Sequence, residues 1–154
     1  MTVSDELTEE LLELMRRCGY SEKVIEYFKN KVNMGRMEDA DWVSEHTGSC
    51  GDTLQIFLKI NKGVIEDAKF LYVGCPGVGA SASVITEMVR KKALEEAKKI
   101  TEKDVLENLG GLPESKFDCV KLTVTAMRRT IAEYMALGPF KSNKIQDKNL
   151  NHTN

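Results

Sequence analysis

The chain has 154 residues, 42% of them hydrophobic and 30% charged, with 22 Lys plus Arg against 24 Asp plus Glu for a net charge of −2. That size suits one domain with a core of its own, and the charge balance speaks against nucleic acid or an anionic membrane as a partner. No long apolar run and no signal-type start are present, so neither a membrane span nor a secretory leader is expected.

In chain order, "SDELTEELLELMRR" reads as an amphipathic helix capped by Ser4, with Leu7, Leu11, Leu14 and Met15 on one face. Ser21 caps a second helix over "EKVIEYFKN", with Val24, Ile25 and Phe28 inward. Residues 30–49 hold two glycines, a Trp and several charges without a period. They read as a long irregular segment, a kind that often carries function. "TLQIFLKI" then alternates strictly, placing Leu54, Ile56, Leu58 and Ile60 on one face of a strand. "NKG" at 61–63 turns the chain, and "VIEDAKFLYVG" returns it with Ala68, Phe70 and Tyr72 alternating. In that antiparallel pair the start of one strand, near Cys50, and the end of the other, near Cys75, are neighbours.

"PGVGASAS" leads into a helix over "VITEMVRKK", with Ala80, Val84, Met88 and Val89 inward, and "ALEEAKKI" is helical in turn. "TEKD" is a capping box for a short helix that stops at Gly110 and Gly111. The last helix spans about Cys119 to Leu137, with Val120, Val124, Met127, Ile131 and Tyr134 at the helical period. The polar remainder, 138–154, reads as a mobile tail. No repeat, linker or second domain is visible. Grouped strands followed by helices predict an α+β fold, a small antiparallel sheet packed against several helices.

Four cysteines, at 18, 50, 75 and 119, sit in a chain with enough Leu, Ile, Val and Met to fold without staples. They point to reduced thiols in the cytoplasm and to metal or sulfur chemistry. Cys50 and Asp52 precede the first strand, Cys75 lies between strand and helix, and Cys119 opens the last helix. A structural thiol usually sits inside the hydrophobic pattern, and these three sit at element ends. A helix N-terminus with Lys116 nearby favours thiolate at Cys119. Glycines at 48, 51, 74, 77 and 79 leave room for the backbone to approach a bound ion or cluster. The spacing is too wide for paired zinc knuckles, so an open site of single ligands from three loops fits best. Three Cys and one Asp also make a tetrahedral zinc site, and that reading stays open. "GVG" lacks the phosphate-loop pattern and reads as a helix start. His46 reads as an exposed loop histidine, "MRRT" as a solvated helix face, and Cys18 and His152 as bystanders.

The segments "YSEKVIEYFKN" with "NMG", "GSCGDTLQIFLKI", "IEDAKFLYVGCPGVGASASVITEMV" and "LPESKFDCVKL" together resemble the IscU/NifU-type iron–sulfur cluster assembly scaffold family. The C-G-D, G-C and late-Cys constellation carries the resemblance, which runs from about Tyr20 to Tyr134. It implies a scaffold domain over 20–137, preceded by an N-terminal helical extension over 1–19, with the cysteines meeting at one exposed end. By that resemblance Cys50, Cys75 and Cys119 bind the cluster, and Asp52 is a ligand or promotes release. Lys116 matches a lysine near the last Cys, and Tyr20 a tyrosine linked to persulfide handling or dimer contacts.

Three positions depart from the family pattern. Asp118 stands where a His is common and is a second candidate for the fourth ligand. "LPESK" replaces the chaperone-recognised L-P-P-V-K, which puts chaperone docking in doubt, and Lys31 replaces a Pro. The zinc-dependent sulfur-acceptor branch carries an insertion between the second and third cysteines. Only the 43 residues 76–118 lie between them here, which favours the scaffold. The implied role is a non-enzymatic scaffold for a [2Fe–2S] cluster, with zinc as the alternative occupant. Its sulfur would come as persulfide from a cysteine desulfurase to Cys119, and its recipients would be apo iron–sulfur proteins; a homo-oligomer is compatible with this.

Overall fold

The computed structural model describes residues 3–49 and 51–152, with side chains described for 8–49 and 51–138. The elements are α1 (Val3–Arg17), α2 (Glu22–Asn30), β1 (Trp42–Thr47), β2 (Thr53–Asn61), β3 (Val64–Val73), α3 (Pro76–Val89), α4 (Leu94–Ala97), α5 (Glu102–Leu109), a 3-10 turn (Glu114–Lys116) and α6 (Phe117–His152). The strands form one antiparallel sheet in the order β1-β2-β3. Helices cover it, so the fold is α+β as the sequence predicts.

The β2–β3 hairpin turns on Lys62 and Gly63, at φ of 52° and 76°. Two left-handed residues match the twist of the flanking strands, and one of the two is the glycine that adopts this conformation freely. The register pairs Thr53 with Val73, so Asp52 and Gly74 face each other one step further on.

α3 is the central helix. Residues 77–86 are all buried, and it packs against α2, β3, α5 and α6. Only small side chains fit such a position, which is why this helix reads G-V-G-A-S-A-S rather than as a one-sided stripe. Its buried hydroxyls are satisfied one turn back: Ser81 donates to the Gly77 carbonyl (2.6 Å), Ser83 to Gly79 (3.0 Å) and Thr86 to Ala82 (2.6 Å). Phe70 is the largest side chain wholly buried between sheet and helices. Phe70→Ala is expected to cost about 3–5 kcal/mol of stability, read as a lower urea midpoint at unchanged slope.

Several local expectations hold in detail. Ser21 caps α2, accepting from the Val24 N–H at 3.1 Å. Thr101 and Asp104 close a reciprocal capping box on α5, and Gly110 ends it at φ 73°.

Others are corrected. The segment 30–49 is not irregular throughout, because Trp42–Thr47 forms β1. The buried face of β1 carries Trp42 and Ser44, a polar–aromatic pair that shows no apolar alternation in sequence. On α1, Leu12 and Met15 are the buried residues, while Leu11 and Leu14 are exposed. This helix packs chiefly against α2, which narrows its buried stripe. Leu7 lies outside the described side chains.

α3 starts at Pro76, well before "VITEMVRKK", and "ALEEAKKI" supplies only one helical turn. α6 begins at Phe117 and continues past Leu137 to His152. Gly138, which reads as a stop, is instead buried under the Tyr134 ring, where any Cβ would collide. Tyr134 in turn stands edge-on to Trp42, with centroids 6.3 Å apart. Among the described residues no helix is long and apolar enough to cross a membrane.

Candidate metal centre

Three element ends meet at one place. Asp52 immediately precedes β2, Cys75 is the N-cap of α3 just after β3, and Cys119 is the third residue of α6. The hairpin register brings the first two together, and packing of α6 against α3 and β1 brings the third. The Sγ atoms of Cys75 and Cys119 are 3.0 Å apart, and Asp52 Oδ2 is 3.5 Å from Cys75 Sγ. One ligand atom from each of the three lies within 4.8 Å of the others.

The loop before Asp52 is a tight turn. Gly51 N–H donates to the Gly48 carbonyl at 3.0 Å, and Gly48 N–H to the Asp52 carbonyl at 2.8 Å. Cys50 lies outside the described residues. Of the other candidates, Lys116 ends the 3-10 turn and draws the Cys119 thiol down. The Asp118 side chain is 71% exposed, 4.0 Å from Lys121 Nζ, and is not in the converging group.

Two sulfurs this close share a proton. The hydrogen bond from Cys119, reinforced by the N–H groups of Val78 and Gly77 at the start of α3, outweighs burial and pulls Cys75 to about 6. Donating that bond pushes Cys119 up, and burial pushes it the same way, against the smaller pull of Lys116. Burial of Cys119 and the helix N-cap under Cys75 thus favour the thiolate at Cys75, whereas the sequence favours it at Cys119.

In the metal-free protein, iodoacetamide labelling of Cys75 should hold its neutral-pH rate down to about pH 6 and fall only below that. An ordinary thiol already slows about tenfold per pH unit below about 8.5. A Cys75 rate that falls from pH 8.5 downward would sink the assignment.

The consequence is electrostatic. A thiolate at Cys75 and a carboxylate at Asp52 are held 3.5 Å apart at a half-buried position. Like charges at that distance repel, and a cation between them relieves the repulsion. Soft sulfur with hard oxygen is a donor set for iron or zinc.

The surroundings are built closely. A Cβ on Gly77 would lie 3.0 Å from Cys119 Sγ and 3.5 Å from the Tyr20 hydroxyl. At Gly77 the space is filled by the site's own side chains, whereas at Gly51 it is open. Tyr20 is buried, and burial, then the nearby Cys75, raises its phenol above the usual range.

His46 is half-buried on β1, not in an exposed loop. Glu133 accepts from Trp42 Nε1 (3.1 Å) and from Ser44 Oγ (2.8 Å). With its only proton so used, Ser44 accepts from His46 Nε2 at 2.8 Å. This network ties β1, and hence the loop that follows it, to α6. Sequence reasoning missed it because its members lie about ninety residues apart and pair through polar atoms, which leaves no periodic signal.

These features define a small α+β domain with a Cys–Cys–Asp cluster that could hold a metal ion at the junction of its strands and helices. Residues 19–138 match the model of the NifU-like N-terminal domain, and the chain belongs to that family. It is 43% identical over 130 residues to the iron–sulfur cluster assembly scaffold protein IscU 1 of Archaeoglobus fulgidus, covering 84% of this chain and 82% of the relative. Escherichia coli IscU is 40% identical over 124 residues, covering 75% of this chain and 94% of the relative. The crystal structure of FiSufU from Fervidobacterium islandicum superposes with a TM-score of 0.61 at 24% identity, over 73% of this chain and 96% of that one, and shares the fold.

Proposed function

We propose that this protein is a scaffold on which iron and sulfide assemble into a [2Fe–2S] cluster and from which the cluster passes to recipient apo-proteins. The observation that carries the reading is the convergence of Asp52, Cys75 and Cys119 in a chain 40–43% identical to proteins named as such scaffolds. The cluster is cargo. Its sulfur ligands are Cys75, Cys119 and Cys50, and the oxygen ligand is Asp52.

Sulfur arrives as the persulfide of a cysteine desulfurase and is received at the Cys75–Cys119 pair. The sequence singles out Cys119 for this step, and the shared proton points to Cys75 as the attacking atom. Cys75 Sγ bonds the outer sulfur, the S–S bond of the donor breaks, and the donor cysteine leaves as thiolate. Cys119 holds the proton that keeps Cys75 ionised. The activity is that of a sulfur acceptor and carrier, without turnover of its own, and reduced thiols suit it to the cytoplasm.

Anaerobic reconstitution with ferrous iron, the desulfurase, cysteine and a dithiol reductant, which supplies the electrons that turn persulfide sulfur into sulfide, tests the reading. Equal iron and labile sulfide with visible charge-transfer absorption are expected. Equimolar zinc, no labile sulfide and no absorption after reconstitution would overturn it.

A further inference from the structure

Cys75 stands between two glycines, in Gly74-Cys75-Pro76-Gly77. Gly74 has φ 154° and faces Asp52 across the hairpin. A Cβ on Gly74 would lie 2.5 Å from Asp52 Cγ, 2.7 Å from Oδ1 and 2.8 Å from Cβ. The last distance decides the matter. Rotation about χ1 can swing Cγ and the carboxylate away, but it leaves the Asp52 Cβ where it is. Any side chain at 74 therefore moves the strand end or drives the carboxylate off the Cys75 sulfur, which it now approaches to 3.5 Å.

We propose that Gly74 is a positioning residue of the metal centre: the space it leaves is what lets the Asp52 carboxylate meet the metal beside Cys75. The inference rests on the reading that Asp52 and Cys75 hold the metal, and it adds what brings the oxygen there. It also separates two roles of a glycine. Backbone freedom at a φ of this kind is a property of residue 74 alone, whereas the missing Cβ acts only through Asp52.

A double-mutant cycle on the full chain separates the two, because backbone strain cancels in it and the contact with Asp52 does not. The four proteins are wild type, Gly74→Ala, Asp52→Gly and the double variant. The readings are zinc affinity by competition with a chromophoric chelator, and thermal melting without metal. Gly74→Ala is expected to weaken zinc about 10- to 100-fold. In the Asp52→Gly background the same change should alter affinity by less than about threefold, within the usual error of additivity. Melting should show the same rescue, with Gly74→Ala lowering the midpoint less when Asp52 is glycine.

Equal losses in both backgrounds, or unchanged zinc affinity in Gly74→Ala, would overturn the proposal. If Gly74→Ala does not fold, a folded double variant supports the contact and an unfolded one overturns it in favour of backbone strain. The cycle reads zinc alone. A failed cluster reconstitution with an intact cycle would therefore count against the scaffold reading and leave Gly74 in place.

Discussion

Cys75→Ser is expected to leave the fold intact and to abolish cluster assembly. The residue is half-buried at the N-cap of α3 and contributes little to the core. Serine is a favoured residue at that helix position, so the substitution spares the helix. What it removes is the anion. A hydroxyl does not ionise near neutrality, so the proton shared at 3.0 Å stays on Cys119 and position 75 carries no charge. The site loses its most available soft ligand and the charge that pairs with Asp52 to attract a cation. Metal affinity should fall by at least about 100-fold, beyond the 10- to 100-fold typical of losing a group that only supports a ligand.

Cys119→Ser should also fail to hold the cluster. In Cys119→Ala, which unlike serine leaves no donor at position 119, the Cys75 labelling plateau should shift to higher pH, since the bond from Cys119 is the largest cause of its depression. Cys18→Ser is the control. Cys18 is exposed at the end of α1, outside the converging group, and its replacement should leave reconstitution unchanged. A Cys75→Ser protein that assembles a normal cluster would remove this thiol from the site.

Asp52→Ala is expected to lengthen the life of the cluster by about tenfold, equivalent to about 1.4 kcal/mol, while slowing its transfer. Carboxylate oxygen is harder than thiolate and binds a soft cluster less firmly, so it leaves one corner exchangeable. A scaffold must give its cargo away, and a labile corner is where a recipient thiol can enter. The measurement is the decay of visible absorption, with transfer to an apo-ferredoxin followed alongside. A single zinc ion should respond in the opposite sense, because it simply loses a ligand. Unchanged decay and transfer in the variant would count against the carboxylate as the release point.

The candidate site was legible in sequence to an unusual degree, for a local reason. Asp52, Cys75 and Cys119 stand at element ends, and element ends are what alternation, caps and glycines mark most clearly. The alternation of β2 and the turn at Lys62-Gly63 mark the hairpin, but a one-residue register shift between Lys59 and Ile60, which no sequence signal marks, sets residue 52 opposite residue 74 rather than 73. The illegible part was β1. Its inner face is Trp42 and Ser44, stabilised by bonds to Glu133 rather than by burial of alternating apolar groups. α1 misled in the opposite direction. Four apolar residues predict a broad buried face, but a helix packed chiefly against α2 buries only Leu12 and Met15 among its described side chains.

The sequence by itself determined the hairpin, the helix caps at Ser21 and Thr101, and which residue types could serve as ligands, because these depend on backbone preferences and periods within a few neighbours. Only the tertiary structure decided that Asp52, and not the exposed Asp118, converges with Cys75 and Cys119, and that Cys119 is buried beside the helix start that carries Cys75. Distances between residues far apart in the chain, and the burial of one sulfur beside the helix start that holds the other, are set by packing, and no local pattern encodes them.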